Sequence, residues 1–219
     1  MSELDGYFKL PKPDIEVDSI VVLLHGLGAD GNDLIGVANL LAEQFPTTAF
    51  YSPDAPTPYH MGGLGYQWFS INQRNFEETD EIIESSHLIN DYIDKLLDRH
   101  ILKARDCVLI GFSQGSMMAL YAGLRRKEQL AGLVGISGAL IAKSTLNSEL
   151  RSSPPVLLIH GEDDFVVNPE SSKEAANVLK DLGINAHLHL LTGLGHSIDL
   201  RSIQLINEFG SIPKKVVSL

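Results

Sequence analysis

Apolar residues fall in short unbroken runs, separated by longer stretches in which they recur every three or four positions. Residues 20–24 (IVVLL), 47–51 (TTAFY), 107–111 (CVLIG), 130–136 (LAGLVGI), 156–160 (VLLIH) and 186–191 (AHLHLL) read as strands. Most are apolar almost throughout, as expected of parallel strands covered on both faces. Between them the period changes to that of a helix. Leu34, Val37, Ala38, Leu41 and Ala42 mark one helix, with Gly31, Asn32 and Asp33 as cap-type residues before it. Ile82, Ile83, Leu88, Ile89, Tyr92, Ile93 and Leu96 mark a longer one. Ala175, Val178, Leu179 and Leu182 mark a third, stopped by Gly183, and Ile203, Ile206 and Phe209 mark the last. Alternating strands and helices predict one α/β domain over residues 1–219, with a mainly parallel central sheet and helices on both faces.

Residues 53–78 break this rhythm. They are rich in proline and glycine, show no helical period, and carry Tyr59, Tyr66, Trp68, Phe69 and Phe76. A long irregular connection inside a compact domain is usually functional or disordered, and this aromatic content argues against disorder. Met61, Leu64, Tyr66, Trp68 and Phe69 are expected to form one apolar wall for a substrate, with Met61 to Tyr66 as a flap. The competing reading is that Trp68 and Phe69 simply cap the core.

Composition narrows the partners. With 17 Lys+Arg against 28 Asp+Glu the net charge is −11, which disfavours polyanions, so no nucleic-acid partner is expected. The 44% of hydrophobic residues suffices for a large core, and no apolar run approaches the length of a membrane span. The single cysteine, Cys107, cannot form an intrachain disulfide, and the acidic N-terminus does not read as a signal peptide. Both point to a cytoplasmic location.

The chemistry concentrates in Gly111-Phe112-Ser113-Gln114-Gly115, a G-x-S-x-G. An apolar run precedes it, and Met117, Met118, Leu120, Tyr121 and Leu124 follow at helical spacing. That strand–turn–helix context is what a nucleophile elbow requires: the serine sits on a sharp turn at the carboxyl edge of the sheet, and the flanking glycines allow close backbone approach. A serine hydroxyl needs a base. Of eight histidines, His196 alone follows the last strand, in the loop Thr192-Gly193-Leu194-Gly195, and completes the chain order serine, acid, histidine. His25 and His160 each end an apolar run and precede glycine. The acid should follow the preceding strand, where Glu162, Asp163 and Asp164 compete, and spacing does not choose between Asp163 and Asp164. Oxyanion donors are expected from the backbone N–H of Gln114, after the nucleophile, and of Leu27 in the His25-Gly26-Leu27-Gly28 loop after the first long strand. Gly26, Gly28 and Gly31 also spell G-x-G-x-x-G, but a nucleotide reading leaves GFSQG unexplained. No Cys/His cluster has metal-ligand spacing, so no metal is expected.

Taken together, LLHGLGADGNDL, PDAPTP, a Trp-Phe pair, GFSQGSMMAL, HGEDD and GLGHSI resemble the phospholipase/carboxylesterase family of small α/β-hydrolases, over residues 19–209. The resemblance implies an α/β-hydrolase fold without a large cap domain, hydrolysing carboxylic esters or thioesters with no cofactor. It implies Ser113 as nucleophile, His196 as base, Leu27 and Gln114 as oxyanion donors, and, through the pattern H-G-x-x-D, Asp164 as acid. The implied partners are a small acyl ester or thioester, a lipid or an acylated protein, and a homodimer is compatible with the sequence. A lysophospholipase-like activity and a catalytically silent binding protein are the alternatives. The chain departs from the family pattern at Trp68-Phe69-Ser70, where an aspartate often follows the aromatic pair, and at Asp164-Phe165, where Asp-Pro is frequent in the loop after the acid.

Overall fold

The computed structural model describes residues 3–59, 65–71 and 77–212. Its central sheet has seven strands in the order β1-β3-β2-β6-β7-β8-β9. Six of them match the apolar runs: β2 (Ser19–Leu24), β3 (Thr48–Pro53), β6 (Cys107–Phe112), β7 (Gly132–Ile136), β8 (Val156–Gly161) and β9 (Ala186–Leu191). All pair in parallel. The seventh, β1 (Gly6–Lys9), adds antiparallel to β3 at the edge. It has no sequence signature, because its side chains are half-exposed or exposed and it is only four residues long. The outer strand β9 shows the alternation of a strand with one wet face, His187 and His189 pointing out.

The pleat divides the core in two. Ile20, Val22, Leu24, Leu109 and Leu158 face one side, where they pack with α2 (Asp80–His100), α3 (Gln114–Arg125) and α5 (Glu170–Asp181). Val21, Leu23, Val108, Ile110 and Ile159 face the other, against α1 (Gly31–Leu41) and α6 (Leu200–Glu208). The cap of α1 is Asp30, whose carboxylate accepts from Asp33 N–H, rather than any of the three residues expected. Thr79 caps α2 and Asp199 caps α6 in the same way. A short helix, α4 (Lys143–Glu149), has no counterpart in the apolar pattern because Leu146 is the one residue it buries.

Part of the 53–78 segment is ordered by pairing. Two short strands, β4 (Thr57–Pro58) and β5 (Tyr66–Gln67), run antiparallel. Tyr66 exchanges backbone hydrogen bonds with the loop after β2, donating to Ala29 O and accepting from Gly28 N–H, both at 2.8 Å. The described part of the expected apolar wall packs into the core instead. Trp68 and Phe69 are buried in the main core, Trp68 only 1% exposed, and Tyr66 is half-buried against the same cluster. Capping the core removes more apolar surface from water than lining a cleft would. Met61 and Leu64 lie outside the described residues.

Strand β6 and helix α3 meet with almost no space between them. A methyl group at Gly115 would overlap the carbonyl oxygens of Leu24 and His25, and one at Gly111 would overlap the backbone of Gly115. Gly36, on the outer face of α1, has no heavy atom within 4 Å of an added methyl. Gly115→Ala is therefore expected to destabilise the fold by about 3 kcal/mol or more, since backbone cannot move aside as a side chain can. Gly36→Ala should stabilise it by about 0.5–1 kcal/mol through helix propensity. Urea unfolding of the two variants checks both signs.

Candidate active site

Ser113 sits between β6 and α3 with φ 54° and ψ −118°, a conformation that costs a non-glycine residue energy and persists only where its surroundings impose it. Those surroundings are the glycine contacts described above and a hydrogen bond from Ser113 N–H to Ile136 O of β7, 2.8 Å. The backbone thereby drives Oγ out of the sheet's carboxyl edge. His196 reaches the same point from the loop after β9, its Nε2 3.0 Å from Ser113 Oγ. Its Nδ1 lies 2.7 Å from Asp164 Oδ2. The three side chains, widely separated in sequence, form one hydrogen-bonded chain.

Geometry separates the competing acids. Asp164 is buried, while Glu162 and Asp163 point to solvent. The other oxygen of Asp164, Oδ1, accepts from the N–H groups of Val166 and Val167 at 2.8 and 2.9 Å. Burial alone would raise its pKa, but the hydrogen bonds from His196, Val167 and Val166 outweigh this and hold the carboxyl below the usual carboxylate range. In the loop that carries it, Phe165 is 97% exposed and Val166 is also exposed, while Val167 packs against the core.

Of the expected oxyanion donors, Gln114 directly follows the serine in the chain and Leu27 lines the same cavity as Ser113. Gly26 lies so close that an added methyl would stand 3.2 Å from Ser113 Cβ. Among the described residues, neither Leu27 N–H nor Gln114 N–H is taken by a backbone carbonyl. Gln114 is the first residue of α3, where a helix offers its amide no internal acceptor.

Two buried side chains support the site in roles that the sequence does not mark beforehand. The Gln114 amide is buried and clamps the segment after β5: its Oε1 accepts from Trp68 N–H at 2.8 Å and its Nε2 donates to Phe69 O at 2.7 Å. His25 is equally buried. Its Nδ1–H donates to Gly26 O at 2.7 Å and its Nε2 accepts from Ala55 N–H at 3.0 Å. Burial depresses its pKa and keeps it neutral, which this donor–acceptor pairing requires. The Trp68 indole N–H donates to His25 O at 2.9 Å, so the tryptophan holds the loop that carries Leu27 instead of meeting a substrate. Ser70, which stands where the family pattern often has aspartate, donates from its N–H and its hydroxyl to Glu81 near the start of α2.

A cavity of about 740 Å³ opens beside Ser113 and His196. It runs between α1 and the start of α6, over Leu27, Leu34, Val37, Leu40, Ile198, Leu200 and Ile203. Among the described residues, the apolar wall thus comes from the two helices on one face of the sheet. Sequence patterning cannot separate these side chains from core residues, because the same helical stripe supplies both. Among the described residues there is no group of three or more His, Cys, Asp or Glu side chains able to hold a metal, and no helix long and apolar enough to cross a membrane.

Comparison with known proteins agrees over almost the whole chain. The family model described as phospholipase/carboxylesterase matches residues 6–213. Acyl-protein thioesterase 1 of Gibberella zeae is 33% identical over 208 residues, covering 86% of this chain and 88% of that one. Acyl-protein thioesterase 1 homolog 1 of Dictyostelium discoideum is 30% identical over 205 residues, 89% of this chain and 91% of its own. The crystal structure of esterase PE8 superposes with a TM-score of 0.89 at 37% identity, covering 95% of this chain and 98% of that one. The fold is that of an α/β-hydrolase with no large cap.

Because the Asp164 carboxyl titrates below its ordinary value, the stability it contributes is present above the unfolded-state pKa of about 4 and lost as pH falls through the folded-state value. Asp164→Asn removes that titration. The gap in Tm between wild type and Asp164→Asn is therefore expected to be widest near neutrality and to narrow below about pH 4. A gap that stays constant from pH 7 to pH 3 would show that the carboxylate is not held ionised.

Proposed function

The chain belongs to the phospholipase/carboxylesterase family and is a serine hydrolase of the esterase or thioesterase type, and from that premise we propose that Ser113, His196 and Asp164 are its catalytic triad. One observation carries the reading: the unbroken hydrogen-bonded chain from Ser113 Oγ through His196 to Asp164, starting at a strained serine. In this mechanism Ser113 Oγ attacks the acyl carbonyl and passes its proton to His196 Nε2. Asp164 fixes the tautomer that leaves Nε2 free to accept, and it stabilises the imidazolium that forms. The N–H groups of Leu27 and Gln114 receive the negative charge that develops on the carbonyl oxygen. Collapse expels the alcohol or thiol, protonated by His196, and leaves an acyl-serine. Water, deprotonated by His196, then releases the acid. No cofactor takes part.

The substrate we infer is a neutral ester or thioester with an apolar arm. The support is the groove between α1 and α6, whose walls are mostly aliphatic and which begins at Ser113. The net charge of −11 disfavours an anionic lipid surface as the place where substrate is met. An acylated protein, as the names of the thioesterase relatives suggest, and a lysophospholipid remain alternative carriers of the acyl group.

Two sets of measurements test these readings. Ser113→Ala is expected to fold normally, to lose esterase activity by a factor of about 10³ or more, and to stop reacting with a fluorophosphonate probe. Asp164→Asn should lower kcat by about 10⁴, as an amide does when it leaves the base in the wrong tautomer, and Asp163→Asn by little. Wild-type protein inert to the probe would point to a silent hydrolase-fold binding protein. For the groove, kcat/KM on a series of p-nitrophenyl esters should rise by up to roughly fourfold per methylene and then level off, following about 0.8 kcal/mol for each buried CH₂. Leu200→Asp places a charge on the exposed rim, at a helix start that tolerates an acid. It should lower kcat/KM more for a medium-chain ester than for the acetyl ester. An equal loss on both would remove this groove from the substrate path.

A further inference from the structure

The mechanism makes no use of His160, yet His160 touches the proposed acid. It is the penultimate residue of β8, four residues before Asp164, and is fully buried. Its Nε2 lies 3.0 Å from Val167 O and 3.2 Å from Asp164 Oδ2. Both neighbours are acceptors, so Nε2 carries the hydrogen. Nδ1 then accepts, and its partner is the hydroxyl of Ser172 on α5, 2.6 Å away and itself buried. The Ser172 hydroxyl also lies 3.3 Å from Gly138 O, but the shorter distance assigns its one hydrogen to His160. Burial depresses the imidazole pKa and keeps the ring neutral.

This arrangement grips the acid twice. Directly, the Nε2–H edge stands against Asp164 Oδ2, the same oxygen that meets His196. Through the loop, His160 holds Val167 by its carbonyl, while the N–H of Val167 holds Asp164 by Oδ1. Of the apolar side chains in this loop, Val167 packs against the core while Phe165 and Val166 face solvent. Packing of Val167 places the loop, and the aim of the carboxylate within it is set by polar contacts, of which His160 supplies two.

We propose that His160, oriented by Ser172, is a positioning residue that aims the Asp164 carboxylate at His196. The inference rests on the reading of Ser113, His196 and Asp164 as the catalytic triad. His160 does not reach the cavity that holds the substrate, so its loss acts on kcat rather than on KM.

The test compares His160→Leu, which fills similar space with no donor, with His160→Gln, whose amide N–H can reach the same acceptors. The readouts are kcat and KM on a p-nitrophenyl ester, the rate of fluorophosphonate labelling, and Tm. His160→Leu is expected to lower kcat and labelling by roughly 10–100-fold, the worth of a hydrogen bond to a charged group, with KM little changed. His160→Gln should recover most of that loss. Ser172→Ala, which leaves the imidazole in place but frees its ring, should lower kcat several-fold at unchanged KM, and it serves if the leucine variant does not fold. Equal kcat in the Leu and Gln variants, or wild-type kcat in a folded His160→Leu or Ser172→Ala protein, overturns the proposal alone. Wild-type protein that neither labels nor turns over ester overturns the triad reading and this one together.

Discussion

The near contact between Gly115 and the carbonyl of Leu24 is the constraint on which the site depends. It brings the first turn of α3 against the end of β2, so the serine has nowhere to go but the strained conformation at φ 54°. The loop after β2 is drawn in with it, Gly26 lying close against Ser113. An elbow of this kind stores backbone energy that must be recovered elsewhere, and the recovery is visible in the two apolar layers. Every residue of β2, β3 and β8 is buried, as are all residues of β6 except Phe112. A sheet fixed that firmly can hold one residue in an unfavourable conformation without yielding.

Around the elbow the scaffolding is polar rather than apolar. Gln114, His25 and Trp68 form a buried set in which each side-chain donor or acceptor meets backbone. Such a set specifies geometry more sharply than packing does, because a displaced partner leaves a buried polar group unsatisfied. Trp68 shows the trade clearly. Its ring contributes to the core while its N–H fixes the loop that supplies a proposed oxyanion donor.

Much of this was legible in the sequence because the strands are buried on both faces and therefore read as apolar runs, and because GFSQG, HGEDD and GLGHSI lie where those runs end. The edges were not legible. Strand β1 is short and half-wet, and α4 buries one side chain, so neither imposes a period. Asp163 and Asp164 are chemically identical in a string of letters; only the turn that sends one inward and the other to solvent separates them. The aromatic cluster of Trp68 and Phe69 reads equally as a binding wall or a core cap, and the core prevailed. His160 and His25 share a strand-end His-Gly signature, which in hindsight marks the point where a chain leaving the sheet must satisfy its buried polar atoms.

In the proposed reading, chemistry and substrate fit are built from different parts of this molecule. The serine, histidine and carboxylate hang on strand ends and tight loops, whereas the groove is a seam between α1 and α6. Its outermost residues, Leu40 and Leu200, are 49% and 74% exposed and contribute little to folding. Substitutions at that rim disturb few of the contacts that hold the fold, whereas those at the buried strand ends disturb many. The acyl groups that the proposed groove accepts are therefore adjustable by substitution at its rim without loss of the fold.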